Sequence, residues 1–196
     1  DNASAGSTLV SGSGTASRTV TLSNLAGDGT LSISLASGTA SDEAGNQALS
    51  AGPSSSFTVD NSGPSGTVAI AKEVQNTDNT TTLTLTLTAS DNATVSAYYV
   101  GDNSTQPTSS QFTALSSPAT AFSDNISYSL AGSGTRTVYA WFMDPLANIT
   151  STPVTATTLA ENTAPTLSSV SLSSTGSDPK HAKSGDNLTL SFTDSE

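Results

Sequence analysis

The stretch Thr80-Thr81-Thr82-Leu83-Thr84-Leu85-Thr86-Leu87-Thr88-Ala89-Ser90-Asp91-Asn92 alternates apolar and polar side chains with a period of two. That period puts Leu83, Leu85 and Leu87 on one face of a β-strand and the threonines on the other. Thr is β-branched and suits the wet face of a strand. The stretch then stops at an acid and an amide, which are turn residues. It has a counterpart near the other end. There Leu188, Leu190 and Phe192 alternate in the same way and lead into Thr193-Asp194.

Working outward, the prolines that precede the two stretches sit in similar settings. Ser62-Gly63-Pro64-Ser65 resembles Thr163-Ala164-Pro165-Thr166, and each follows a strand-like segment closed by an acid and Asn, Asp60-Asn61 and Glu161-Asn162. Pro64 and Pro165 are 101 positions apart. Asp42-Glu43-Ala44-Gly45-Asn46 and Asp144-Pro145-Leu146-Ala147-Asn148 share the pattern Asp, two residues, a small residue, Asn. They lie 18 and 17 positions before Asp60 and Glu161. A period near 100 residues, made of short strands between turn signals, is the size of an immunoglobulin-like β-sandwich.

This phase predicts an all-β fold of tandem immunoglobulin-like sandwiches with Greek-key connections, one complete and one split between the ends. Residues 62–162 form the complete domain, with strands near 66–71, 80–88, 94–100, 110–115, 126–130, 135–143 and 154–159. In the strand 135–143, Val138, Ala140 and Phe142 share one face and Tyr139, Trp141 and Met143 the other. Residues 1–61 hold only later strands, Arg18–Leu22, Thr30–Leu35 with Leu31, Ile33 and Leu35 inward, and Ser56–Asp60. Residues 163–196 hold only two early strands, Thr166–Leu172 and Asn187–Thr193. Tail before head, the two pieces make 95 residues, one domain. The expectation is that the tail completes the head of a neighbouring copy, head to tail in a linear array. A start at Asp1 and not Met suggests a processed protein, an excised piece or a window on a longer chain.

Composition sets outer bounds. Of 196 residues, 37 are Ser and 32 Thr, a share that fits a disordered stalk as well as a sheet. The alternating runs favour the sheet. With 16 acids against 5 Lys and Arg, net charge −11, no basic patch exists to hold phosphates, and nucleic acid is a poor partner. No apolar run approaches the ~20 residues of a membrane span. Cysteine is absent, so if the protein is secreted, something other than a disulfide must stiffen its small core.

Thr135-Arg136-Thr137-Val138-Tyr139-Ala140-Trp141-Phe142-Met143-Asp144 through Asn148, Ser41-Asp42-Glu43-Ala44-Gly45-Asn46 and Glu161-Asn162-Thr163-Ala164-Pro165-Thr166 together resemble the bacterial immunoglobulin-like repeats of large surface proteins. His181-Ala182-Lys183-Ser184-Gly185-Asp186-Asn187 resembles their lead-in to a second strand. At Asp144, Pro145-Leu146 replace the two small residues of that pattern. The resemblance covers nearly the whole chain and implies an extracellular spacer, fibre or adhesin at the cell surface, often stiffened by calcium.

Chemistry of the residues points the same way. His181 is the only histidine, and no Gly-x-Ser-x-Gly elbow exists, so catalysis finds little support and an enzyme is not expected. In such a sandwich, the loop after the second strand, the loop before the last strand and the entering linker share one pole. Asp91, Asp144 with Asn148, and Asp60 with Asn61 are therefore expected to converge. Calcium takes six to eight hard oxygens, which carboxylates, amides and backbone carbonyls supply. A second cluster would comprise Asp42, Glu43, Asn46, Glu161, Asn162, Asp194 and Glu196. The competing reading is ordinary loop acids in Asx-turns. A Lys72 cross-link to Asn148 or Asn162 and glycans at the seven Asn-x-Ser/Thr sequons are further options. The alternative functions are a carbohydrate-binding or adhesive module, for which Thr80–Thr88 is the candidate Thr row, and an accessory domain of a secreted hydrolase.

Overall fold

The computed structural model describes residues 3–12, 17–76, 80–161, 165–176, 178 and 180–194. Among these, the chain is nearly all β, with one short 3-10 turn at Ser109–Gln111 and no α-helix. Among the described residues no helix is long and apolar enough to cross a membrane.

The strands run in chain order. The head holds β1 (Ser4–Ser11), β2 (Thr19–Ala26), β3 (Gly29–Leu31) and β4 (Phe57–Val59). The middle body holds β5 (Ser65–Gln75), β6 (Thr80–Gly101), β7 (Thr113–Ala131), β8 (Gly134–Met143) and β9 (Val154–Ala160). The tail holds β10 (Ser168–Ser174) and β11 (Leu188–Thr193). β1 pairs with β2, β3 with β4 and β10 with β11, each as a separate two-stranded sheet. The five strands of the middle body form one hydrogen-bonded set in the order β5-β6-β8-β9, with β7 also on β6.

The middle body is organised by β6, which at 22 residues is long for a strand. Its first arm, Thr80–Ser90, lies between β5 and Ala121–Ala131, the second arm of β7. Its second arm, Ala97–Gly101, pairs with β8. Register breaks between Ser90 and Val95, a bulge at which the strand bends. The expected strands 80–88 and 94–100 are thus two arms of one strand. The expected strands 110–115 and 126–130 are likewise joined in β7.

The apolar residues of both arms of β6 and of β8 share one core. Leu83, Leu85 and Leu87 have no exposed surface, nor do Val95, Val138, Ala140 and Phe142, and all seven belong to one core cluster. Burying a Leu or Val side chain contributes roughly 1.5–3 kcal/mol, so this cluster is the main apolar source of stability in the described chain. On the other face of β8, register places Tyr99 beside Trp141. Tyr99 in turn meets the Phe112 ring at 6.2 Å between centroids. Trp141 is only 3% exposed. At the open edge, Thr158 on β9 donates a hydrogen bond to the Glu73 carboxylate on β5.

Head and tail contrast with this. β2, β3 and β4 fall within or beside the expected Arg18–Leu22, Thr30–Leu35 and Ser56–Asp60, although β3 stops at Leu31 and the line continues only as an isolated bridge from Leu35 to Ala51. β1 was not expected, because Ser4–Ser11 carries no alternation. β10 and β11 match the expected tail strands, and their apolar residues are exposed.

Candidate metal centre

Three carboxylates meet where head and middle body join. Asp60 directly follows β4, Asp91 lies at the bend of β6, and Asp144 directly follows β8. One oxygen from each lies within 4.8 Å of the other two. Asp60 and Asp144 are buried, at 7% and 1% exposure, and Asp91 is half-buried. Among the described residues no Lys or Arg forms an ion pair with any of them. Three like charges in a partly desolvated pocket repel one another. Burial holds the Asp91 carboxyl above the usual carboxylate range, and the neighbouring Asp60 and Asp144 push it further the same way.

Local hydrogen bonds fix each carboxylate. Asp91 Oδ1 accepts the Ala93 N–H at 2.8 Å. Asp144 Oδ1 accepts the Asn148 N–H at 2.8 Å, and its Oδ2 accepts the Asn148 side-chain amide at 2.7 Å. This turn is closed by Asp144 N–H to the Asn148 carbonyl at 3.1 Å and requires Ala147 at φ 66°. The same Asn148 amide donates to the Asp60 carbonyl at 3.2 Å, tying turn to linker. Asp60 Oδ1 accepts the Asn92 amide at 3.1 Å and the Ser62 N–H at 3.3 Å. Asp60 Oδ2 is buried and has no hydrogen-bond partner.

An unpartnered buried carboxylate oxygen costs free energy unless something positive meets it. A hard divalent cation meets that need. Calcium–oxygen bonds of about 2.3–2.6 Å put ligand oxygens on one ion within about 5 Å of each other, the spacing seen here. Asp60, Asp91 and Asp144 therefore fit a metal such as calcium, with Asn148 and Asn92 orienting them from behind.

Not every expected ligand joins this group. Asn61 turns the other way. Its N–H donates to Asp28 Oδ1 at 2.7 Å, and its side-chain amide donates to the Gly27 carbonyl at 2.7 Å. Ser62 Oγ donates to Asp28 Oδ2 at 2.6 Å. The Asn61 and Ser62 bonds hold the Asp28 carboxyl below its usual range. Asp28 was not singled out from sequence. The available signal was the match of Ala26-Gly27-Asp28-Gly29 to Ala131-Gly132-Ser133-Gly134, which marks it as a turn leading into a strand in both places. Gly63 packs so closely that an added Cβ would lie 2.3 Å from the Ile149 carbonyl oxygen. The linker is thus strapped to the head by Asp28 and to the middle body by Asn148 and Ile149.

The second expected cluster does not appear as a group of three metal-binding side chains among the described residues. Asp42 and Asn46 close a turn of the same form as Asp144–Asn148. Asp42 Oδ1 accepts the Asn46 N–H at 2.9 Å, Oδ2 accepts the Asn46 amide at 2.9 Å, and Gly45 stands at φ 87°. Those bonds lower the Asp42 pKa, that from the Asn46 side chain most. Glu43, Glu161 and Asp194 are exposed. Among the described residues the only group of three such ligands is Asp60, Asp91 and Asp144. Asn162 and Glu196 lie outside the described residues. Lys72 is exposed on β5, and His181 is an exposed partner of Asp178, with Nδ1 2.6 Å from Oδ2.

The chain matches no family model, no curated protein and no solved structure at a significant level.

Proposed function

We propose that this chain is a structural module of a repetitive extracellular surface fibre or adhesin stalk, built from immunoglobulin-like domains whose joints are locked by calcium. The observation that carries the reading is the buried, unpartnered Oδ2 of Asp60 beside Asp91 and Asp144. Asp60 belongs to the segment leaving the head, while Asp91 and Asp144 belong to the middle body. A cation held by all three would fix the angle between them. The order of pairing supports the immunoglobulin-like part. β5 and the Ala121–Ala131 arm of β7 pair with the first arm of β6, and β8 pairs with the second arm of β6 and with β9, the pairing that two facing layers of such a domain would have. The outer threonines of β6 favour a wet strand face over an adhesive Thr row, because they are taken up by neighbours. Thr88 shares a 2.7 Å hydrogen bond with Thr67, and Thr86 donates to Asn125 at 2.7 Å.

Binding to the folded state alone adds about 2.7 kcal/mol at a free calcium concentration 100 times Kd. Titration calorimetry is expected to show one site at this joint, and chelator to lower the Tm. Asp60→Asn and Asp144→Asn are each expected to remove the heat. No heat and an unchanged Tm on adding chelator would sink the metal-locked joint.

A further inference from the structure

The first strand of the middle body breaks its own alternation. Val68, Ile70, Lys72 and Val74 would share one face of an unbroken strand. Val68 pairs with the buried Leu87, and Ile70 with the buried Leu85. Register then shifts between Ile70 and Lys72, so that Glu73 pairs with Leu83 and Gln75 with Thr81. The bulge exchanges the two faces of the strand. Leu83 and Thr81 are fully buried, and residues directly opposite on an antiparallel pair share a face. Glu73 and Gln75 are thereby turned toward the core, while Lys72 is exposed and Val74 is 42% exposed. A strand that turns a valine out and a carboxylate and an amide in gives up apolar burial. Such local conflicts collect at functional sites.

Four side chains meet there. Thr158 Oγ1 on β9 donates to Glu73 Oε2. Gln75 Nε2 donates to Glu73 Oε1. Thr81 Oγ1 on β6 donates to Gln75 Oε1 at 2.7 Å. Among the described residues no Lys or Arg forms an ion pair with Glu73, and Arg136, which stands opposite Thr158, pairs with Asp102 at 3.3 Å. The carboxylate is bracketed by a hydroxyl on one oxygen and a carboxamide on the other. These are the parts of an acyl transfer. A hydroxyl nucleophile rests on a base. The carboxamide carbon is the acceptor, and its oxygen, where negative charge would develop, already takes a hydrogen bond.

We propose that Thr158 and Gln75 join in an intramolecular ester. Glu73 takes the Thr158 hydroxyl proton, and Oγ1 attacks Gln75 Cδ. The Oγ1–Cδ bond forms while the Thr81 hydroxyl holds the charge on Oε1. Glu73 then passes the proton to the amide nitrogen, the Cδ–N bond breaks and ammonia leaves. No redox partner or co-reactant is consumed, and Glu73 ends as it began. Both reacting groups are held on one carboxylate, so the step is unimolecular. β5 and β9 are the two ends of the strand path β5-β6-β8-β9 and share no ladder. The ester closes that path into a covalent ring in a chain that has no cysteine to do so by a disulfide. It needs neither a metal nor a second chain, so it stands apart from the joint at Asp60.

The intact mass of the purified full-length chain tests this. Wild type is expected to weigh one ammonia less than its sequence. Trypsin cuts after Lys72, Arg136 and Lys180, so it is expected to release 73–136 and 137–180 as one joined species, which hydroxylamine parts. An ester to Thr81, or loss of ammonia from any Asn, would leave those two peptides separate. Thr158→Val, Gln75→Ala and Glu73→Gln are each expected to show the full mass of their own sequences, with Trp141 fluorescence checking the fold. A wild-type chain of full sequence mass, separate 73–136 and 137–180, or ammonia still lost from Thr158→Val would overturn the inference. The wild-type mass decides even where a variant fails to fold.

Discussion

Leu85 and Leu190 occupy the same kind of strand, each flanked by two hydroxyl residues, yet one has no exposed surface and the other is 60% exposed. Their difference is not in the alternation but in what faces it. β6 carries its own second arm and is answered by β8, whereas β11 has only β10. A period-two pattern thus specifies a face to be covered and says nothing about which part of which chain covers it.

The strongest way to break this comparison is to cut the two leucines back. Leu85→Ala removes a buried side chain and is expected to destabilise the middle body by about 2–5 kcal/mol. Leu190→Ala in dilute, monomeric protein is expected to leave the denaturation midpoint of the middle body unchanged. Urea unfolding followed at Trp141 reads both. Equal effects would mean that tail and middle body fold as one unit.

A second test sharpens the contrast through Asp91. Its folded pKa is raised, so in metal-free protein the folded state holds a proton that the unfolded chain has lost. Stability from this group is therefore present at low pH and is lost as pH rises through the window that opens at 3.8. Calcium requires the carboxylate ionised, so its affinity is expected to fall as pH drops through the same window. Melting curves with calcium and with chelator should slope in opposite directions there, and Asp91→Asn should flatten both. Parallel slopes would separate Asp91 from the metal.

The smallest expected effect is at Asp28. Its lowered pKa gives stability that is present above 3.8 and lost as pH falls below it. Asp28→Asn is expected to leave the Tm of the middle body unchanged. Faster amide exchange at Asn61 and Ser62 is the expected sign that the strap on the head side has loosened. Unchanged exchange there would show that Asn148 and Ile149 hold the linker without it.

Much of the strand order was legible because the core is written in alternation, as at Leu83–Leu87 and Val138–Phe142. The meeting of Asp60, Asp91 and Asp144 was legible from the rule that these loops share a pole. Other features depended on geometry that residue types do not encode. Asp91-Asn92 reads as a loop, but the Asp91–Ala93 hydrogen bond lets β6 bend without leaving the sheet. Asn61 is as good a ligand type as Asn148, and only the position of Asp28 across the linker decides that it faces away. β1 gave no signal because Ser, Gly and Ala at Ser4–Ser7 favour no face.

The strand register of the middle body also fixes how it would bear load. Ser65 lies near Ser90 at the pole of the three carboxylates, while Ala160 pairs with Gly134 at the far end of β8 from Asp144. A pull on the two flanking linkers therefore enters at one pole and leaves at the other, along the strands. Antiparallel ladder bonds lie across that direction. The β5–β6 ladder must then shear as a whole, with no end from which it can be unzipped bond by bond. The body is accordingly built to resist stretching, and under tension it would yield in a single abrupt rupture and not by gradual creep.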